Sequence, residues 1–107
     1  MKLSIIIPIR NEKESIVQTL NILKDKLKQI DYELVIINDF SDDNSLELVE
    51  NQKKNYPQIN LLNNEKKGLG GAISLGVTKS RGDLVCIMMS DLSDNIADLE
   101  KYYKLIQ

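Results

Sequence analysis

The chain has 107 residues, of which 42% are hydrophobic and 28% charged, with 14 Lys and Arg against 16 Asp and Glu. This size and balance are typical of one globular domain with an ordinary core, and they exclude collagen, low-complexity disorder and a disulfide scaffold. The net charge of −2, with no long block of like charges, leaves no basic stripe to follow a phosphate backbone. Nucleic acid is therefore not an expected partner.

Cysteine content and hydropathy set the expected compartment. Cys86 has no second cysteine in the chain to pair with, which fits a reducing, cytoplasmic location. The apolar run at residues 3–9 is too short for a signal sequence, and no run approaches the roughly 18 apolar residues of a membrane-spanning helix. We therefore expect a soluble chain without a membrane span.

Short apolar runs alternate with longer segments of helical period, the pattern of a parallel sheet covered by helices. Strands are predicted at residues 3–9, 34–37, 59–62 and 84–89. We expect a three-layer α/β/α domain with a mostly parallel sheet in the strand order 3-2-1-4. No linker or internal repeat divides it, so residues 1–107 form one domain.

Helices are predicted between and after these strands. The first carries an apolar stripe from Ile16 to Ile30, and the second begins near a capping Asp43 or Ser45 and extends to Tyr56, before Pro57. A polar, glycine-containing loop at residues 63–71 precedes the third helix, and residues 95–107 have helical spacing. Each predicted strand is thus followed by a helix.

Polar residues follow three of the predicted strands, at the edge where open parallel sheets bind ligands. They lie at residues 10–12, 38–42 and 90–94 and include several acids. Carboxylates from three loops would repel one another unless a cation lay between them, and Mg²⁺ or Mn²⁺ carrying phosphates suits such a site. Taken singly, such residues more often cap helices or form turns. The prediction of a site therefore depends on their convergence.

Four ordered segments resemble the N-terminal half of the family-two glycosyltransferases with the GT-A fold, in particular the polyprenyl-phosphate (dolichol-phosphate) mannosyl- and glucosyltransferase branch. The segments are SIIIPIRNE at residues 4–12, VIINDFS at 35–41, GLGGA at 68–72 followed by SRGD at 80–83, and MSDLSD at 89–94. Together they span most of the chain.

The resemblance implies the roles of individual residues. Asp91 matches the last acid of the family's metal motif, which holds a divalent cation, Mg²⁺ or Mn²⁺, on the diphosphate of the sugar donor. The implied nucleotide-binding residues are Pro8, Arg10, Glu12, Asp39, Lys67 and Ser90. Asn38 and Met89 stand where the family has acids, and a thioether does not favour a hard cation.

The activity implied by the resemblance is inverting transfer of a hexose from a UDP- or GDP-sugar to a polyprenyl phosphate, at the cytoplasmic face of a membrane. In such enzymes the acceptor site and the catalytic base lie after the metal motif. We therefore expect residues 1–107 to be the nucleotide-sugar-binding half, with the acceptor half absent. On this interpretation no catalytic residue is identified, and the chain alone binds nucleotide without turnover.

Two other interpretations stay open. A non-catalytic nucleotide-binding or regulatory module would share the fold, and Met89 favours it. A receiver-like signalling domain would need an acidic acceptor at the end of the third strand, where the chain has Asn63 and Asn64. In a GT-A domain cut after the fourth strand, that apolar strand lies at an edge that later strands would normally cover. Self-association is therefore expected through this strand or through the helix containing Tyr102 and Tyr103.

Overall fold

The computed structural model describes residues 2–89, which form a four-stranded sheet with helices on both faces. The sheet order is β3-β2-β1-β4 and every pairing is parallel, which confirms the predicted fold class and strand order. The elements in chain order are β1 (Leu3–Ile9), α1 (Ile16–Lys26), β2 (Tyr32–Asn38), α2 (Ser45–Lys53), β3 (Ile59–Asn63), α3 (Leu69–Lys79) and β4 (Leu84–Ile87).

The central strands β1 and β2 are buried along their whole length because helices cover both of their faces. One face packs against α1 and α2 through a large aliphatic cluster that includes Leu20, Leu23 and Val49. The other face lies under α3, where Ile6 and Ile37 meet Ala72. Continuous Ile- and Val-rich runs are typical of strands buried on both sides.

Gly76 lets α3 approach the sheet closely. A Cβ atom at this position would lie 2.5 Å from Cγ2 of Ile6 and 2.7 Å from Cδ1 of Ile37. The absent side chain thus sets the distance between helix and sheet, which in turn sets where the start of α3 lies relative to the ends of β1 and β2.

Several predicted boundaries are wrong by a few residues. Helix α3 begins at Leu69 rather than Ala72, because Gly68, with φ of 131°, turns the chain and its carbonyl accepts the N–H of Ala72 at 3.1 Å. Strand β2 extends over Tyr32–Asn38 rather than residues 34–37, and β4 ends at Ile87 rather than Met89.

Two buried residues lie outside the helices predicted to contain them. Helix α1 ends at Lys26, before Ile30, and α2 ends at Lys53, before Tyr56. Both residues still pack in the core, so the apolar spacing indicated burial correctly and helix length incorrectly. The predicted helix at residues 95–107 lies outside the described residues.

Strand β4 is the outer strand next to β1 in the part of the sheet that the structure describes. Its side chains alternate, with Leu84 and Cys86 packed against the core while Val85 and Ile87 are 42% and 48% exposed. Among residues 2–89 there is no helix with the length and apolar character needed to cross a bilayer.

Candidate nucleotide site

A cleft of about 230 Å³ lies where the carboxyl ends of β1 and β2 meet the start of α3. Parallel strands end at the same edge, so the loops that follow β1 and β2 lie side by side. The cleft is lined by Pro8, Ile9, Arg10, Glu12, Asp39, Leu69 and Met89.

The structure therefore brings together four of the predicted nucleotide-binding residues: Pro8, Arg10, Glu12 and Asp39. Lys67 does not line the cleft, but its charge acts on Asp39. Ser90 and Asp91, predicted as a nucleotide contact and as the metal ligand, lie outside the described residues.

Asn11 joins the loop after β1 to the loop after β2. Its backbone is in the left-handed region, with φ of 56°, and its Oδ1 accepts the N–H groups of Asp42 at 2.6 Å and Asp43 at 3.3 Å. Its own N–H donates to Oγ of Ser41 at 3.1 Å. Asparagine tolerates this backbone region better than most residues. The loop that carries Arg10 and Glu12 is thereby held against its neighbour.

The start of α2 also supports the cleft. Asp43 accepts the N–H of Ser45 at 2.9 Å, while the Ser45 hydroxyl accepts the N–H of Glu12 at 2.8 Å. The hydrogen bond from the Ser45 hydroxyl is the main reason why the pKa of Asp43 lies below its ordinary value. Asp43 also accepts the N–H of Lys13 at 3.3 Å, so both residues at the start of α2 bind the loop that follows β1.

Asp39 is the central charged group of the cleft. It is 4% exposed, and its N–H donates to the carbonyl of Ile9 at 2.8 Å, which fixes its backbone to the end of β1. Oδ1 accepts Nδ2 of Asn64 at 3.0 Å and the N–H of Gly68 at 2.9 Å, and Oδ2 accepts the same Gly68 N–H at 3.2 Å. The carboxylate thus holds the turn that begins α3.

These partners keep Asp39 ionised. Burial alone raises the pKa of its carboxyl, but the hydrogen bonds from Asn64 and Gly68 and the charges of Arg10 and Lys67 outweigh burial and lower the pKa below its ordinary value. A negatively charged acceptor therefore borders the cleft at neutral pH.

Asn64 is a residue of the site that the sequence interpretation missed. It is 8% exposed, and besides Asp39 its Nδ2 reaches the carbonyls of Lys66 at 2.5 Å and Gly68 at 3.2 Å. A Cβ at Gly71 would lie 2.9 Å from the Lys66 carbonyl, so the turn is tightly packed. The signal in the sequence was a polar pair, Asn63 and Asn64, at the end of a parallel strand.

Asn38, which stands where the resemblance places an acid, uses both parts of its amide. Oδ1 accepts the N–H of Ser41 at 3.3 Å, and Nδ2 donates to Oδ1 of Asn63 at 3.1 Å. A carboxylate accepts but does not donate, so an acid at this position could not donate to Oδ1 of Asn63 as Asn38 does. The asparagine joins the ends of β2 and β3.

The donors described at the cleft do not fit a divalent cation by themselves. Residues 2–89 contain no cluster of three or more His, Cys, Asp or Glu side chains arranged to hold a metal. Asp39 is engaged with Asn64 and Gly68, and Met89 offers a soft sulfur where Mg²⁺ and Mn²⁺ prefer oxygen.

Comparison with curated proteins identifies similar chains in lipid-linked sugar transfer. The dolichyl-phosphate beta-glucosyltransferase ALG5A of Trichomonas vaginalis is 39% identical over 113 residues, which cover 98% of this chain and 35% of that protein. The dolichol-phosphate mannosyltransferase of Pyrococcus furiosus is 32% identical over 92 residues, which cover 86% of this chain and 26% of that protein. The chain thus spans about a third or less of the length of these relatives.

Solved structures show the same fold. Staphylococcus aureus TarS 1-349 in complex with UDP-GlcNAc superposes with a TM-score of 0.76 at 24% identity, over 97% of this chain and 31% of that one. The mannosyltransferase PcManGT from Pyrobaculum calidifontis, in complex with GDP-Man and Mn²⁺, has a TM-score of 0.76 at 21% identity, over 92% of this chain and 31% of that one. This likeness shows the GT-A fold.

The family assignment follows from the sequence match. The model of glycosyl transferase family 2 matches residues 4–107, which include the four segments that carry the resemblance. The receiver-like interpretation is therefore wrong. The chain belongs to glycosyl transferase family 2.

Proposed function

We propose that this chain supplies the nucleotide-sugar-binding part of a glycosyltransferase that moves a hexose from a UDP- or GDP-sugar to a polyprenyl phosphate. The observation that carries the proposal is the cleft at the ends of β1 and β2, bordered by the ionised, buried carboxylate of Asp39 and by Arg10. The GT-A neighbours hold UDP-GlcNAc and GDP-Man, which supports a nucleotide sugar as donor.

In this proposal Asp39 accepts an N–H group of the nucleobase. Pro8, Arg10 and Glu12 line the base and ribose, since all three border the same cleft as Asp39. Lys67, in the turn before α3, approaches the base, since its charge acts on Asp39, and Ser90 adds a further oxygen. The dolichyl-phosphate relatives support a polyprenyl phosphate as acceptor. In this proposal the reaction takes place at the cytoplasmic face of a membrane.

We assign the metal to Asp91 with water and phosphate oxygens, because Mg²⁺ and Mn²⁺ are commonly bound by one or two carboxylates together with substrate phosphates. When bound, the cation supplies charge neutralisation for the leaving diphosphate. The transfer inverts the anomeric carbon, and no residue of 2–89 is assigned as its base. Because the chain spans about a third of its relatives, we expect it to bind donor nucleotide without turnover.

Titration calorimetry of UDP and GDP with Mn²⁺ tests the site. We expect binding of at least one nucleotide by the chain and a loss of about tenfold or more in Asp39→Ala, since a hydrogen bond to a charged group is removed. Asp25→Ala is the matched control, because Asp25 lies on the exposed surface of α1. Equal affinities of Asp39→Ala and the unsubstituted chain would remove Asp39 from the site.

A second pair of variants separates the catalytic proposal from a non-catalytic module of the same fold. Met89→Asp restores an acid to the metal motif and should strengthen Mn²⁺ binding, whereas Asp91→Asn should weaken it, in both cases only with UDP or GDP present. If Met89→Asp has no effect and Asp91→Asn binds metal and nucleotide as well as the unsubstituted chain does, the non-catalytic module is the better interpretation.

A further inference from the structure

The two oxygens of the Asp39 carboxylate are unequally occupied. Oδ1 accepts both Nδ2 of Asn64 and the N–H of Gly68, at 3.0 and 2.9 Å, whereas Oδ2 receives the same Gly68 N–H at 3.2 Å. An ionised carboxyl group offers about four lone-pair positions, about two on each oxygen. Two donor hydrogens thus make three contacts: within the described part of the chain both acceptor positions of Oδ1 are in use, whereas Oδ2 has only the longer branch of the shared Gly68 contact and keeps a free acceptor position.

Asn64 holds this arrangement firmly. Its Nδ2 lies among three acceptors, one on Asp39 and the carbonyls of Lys66 and Gly68, so the amide nitrogen and not the oxygen must face Asp39. Its backbone N–H donates to the carbonyl of Asn38 at 2.9 Å, and the residue is 8% exposed. The side chain cannot swing away to release Oδ1 without taking its donor from the Lys66 carbonyl, whereas the Gly68 carbonyl keeps the N–H of Ala72.

We propose that Asn64, by saturating Oδ1 of Asp39, makes the nucleotide site select a base that offers a single N–H, uracil, over guanine, which offers two. This inference rests on the proposed function, in which Asp39 receives the base. Uracil presents one imide N–H between two carbonyls. Guanine presents N1–H and its N2 amino group side by side, a pair that matches both oxygens of a carboxylate.

The expected discrimination follows from the unmatched donor. Guanine at this site directs its second N–H toward an oxygen that already accepts two hydrogen bonds, and a buried donor without a partner is costly. We expect UDP to bind about tenfold or more tightly than GDP. Asn64 is on this view a positioning residue, which acts on the nucleotide through Asp39.

Asn63 provides a matched control. It precedes Asn64 at the end of β3, is exposed, and accepts Nδ2 of Asn38 through its own Oδ1 rather than contacting Asp39. A substitution at Asn63 tests whether any change at this strand end alters selectivity.

The experiment is calorimetric titration of UDP and GDP, each with Mg²⁺, on the full chain and on Asn64→Leu, Asn64→Ser and Asn63→Ser, with circular dichroism to verify folding. We expect a UDP preference of about tenfold or more in the unsubstituted chain and in Asn63→Ser. In either Asn64 variant Oδ1 regains an acceptor position, so the preference should fall to about threefold or less. A merely structural role would weaken both nucleotides equally and leave their ratio unchanged.

Three results would overturn the inference. Equal binding of UDP and GDP by the unsubstituted chain, or a preference for GDP, contradicts it while leaving the proposed function intact. An unchanged ratio of UDP to GDP affinity in a folded Asn64 variant also contradicts the inference and leaves the proposed function intact. If neither nucleotide binds, the proposed function fails, and the inference with it. The smaller Asn64→Ser variant decides the matter where Asn64→Leu does not fold.

Discussion

Two buried carboxylates at opposite ends of β2, Glu33 and Asp39, hold the two ends of α3. Glu33 is 7% exposed and Asp39 4%. Oε2 of Glu33 accepts the N–H of Arg81, after α3, at 2.6 Å, and Asp39 accepts the N–H of Gly68, before α3, at 2.9 Å. One strand thus fixes both ends of a helix that packs across it.

The surroundings of the two carboxylates differ. Glu33 also accepts the Ser4 hydroxyl at 2.6 Å, and that hydroxyl accepts the N–H of Gly82 at 2.8 Å, so its partners at the amino edge are strand and loop groups. Asp39 lies at the carboxyl edge, where loops converge and ligands bind in parallel sheets. On the proposed function, the same side-chain chemistry is structural at the amino edge and binds a ligand at the carboxyl edge.

The largest expected effect comes from removing the carboxylate at the amino edge. Glu33→Ala leaves the N–H of Arg81 and the hydroxyl of Ser4 without their buried acceptor. We expect a loss of about 3 kcal/mol in the free energy of unfolding, measured by urea denaturation. Nucleotide affinity of the folded fraction should not change. Glu50→Ala, at an exposed position of α2, is the control, and an equal loss there would contradict the role of Glu33.

Asp39→Asn makes the corresponding change at the carboxyl edge. The amide that replaces one oxygen no longer accepts from Gly68 or Asn64 at that position, so we expect a loss of about 2 kcal/mol in stability. Unlike Glu33→Ala, this variant should also lower nucleotide affinity, by about tenfold. If Glu33→Ala and Asp39→Asn both lowered stability and neither lowered nucleotide affinity, the two carboxylates would be equivalent and the contrast between the two edges would be wrong.

Acid should remove part of the Asp39 contribution. Because the pKa of Asp39 in the folded chain is lowered, its contribution to stability is present above the pKa of the unfolded chain and is lost as pH falls through the folded value. The stability difference between the unsubstituted chain and Asp39→Asn should therefore be full at pH 6 and shrink below about pH 4. Chemical denaturation across this pH range measures the stability difference. A difference that does not change with pH would contradict a lowered pKa of Asp39 in the folded chain.

Two neighbouring glycines test how tightly the turn held by Asp39 is packed. A Cβ at Gly70 meets nothing within 4 Å, whereas one at Gly71 lies 2.9 Å from the Lys66 carbonyl. Gly70→Ala should stabilise α3 by about 0.5–1 kcal/mol. Gly71→Ala should be about 1 kcal/mol less stable than Gly70→Ala and bind nucleotide severalfold more weakly. Thermal melts and calorimetry of the pair measure both effects, and identical behaviour would show a loosely packed turn.

The smallest expected effect concerns β4, the outer strand next to β1 among residues 2–89. Val85 and Ile87 are exposed on it, and an apolar edge favours pairing with another chain. We expect weak self-association, visible by light scattering at high concentration and reduced by Ile87→Lys. A monomeric mass at every concentration would contradict this prediction.

Much of the fold could be predicted because local patterns carry it. The buried Ile- and Val-rich runs indicated β1 and β2, and the spacing of Ile16, Leu20 and Leu23 indicated α1. The convergence of Pro8, Arg10, Glu12 and Asp39 followed from the rule that parallel strands end at one edge. The roles of these four residues stay predictions until nucleotide binding is measured.

Tertiary structure decided which groups meet across long sequence separations. The partners of Glu33 and Asp39 lie 48 and 29 residues away, at Arg81 and Gly68, and no local periodicity relates them. The same holds for Asn64, whose role depends on Asp39, 25 residues before it. Apolar runs determine strands and helices through their own spacing, whereas a buried polar group is stabilised by whichever distant donors the packed chain brings within hydrogen-bonding distance.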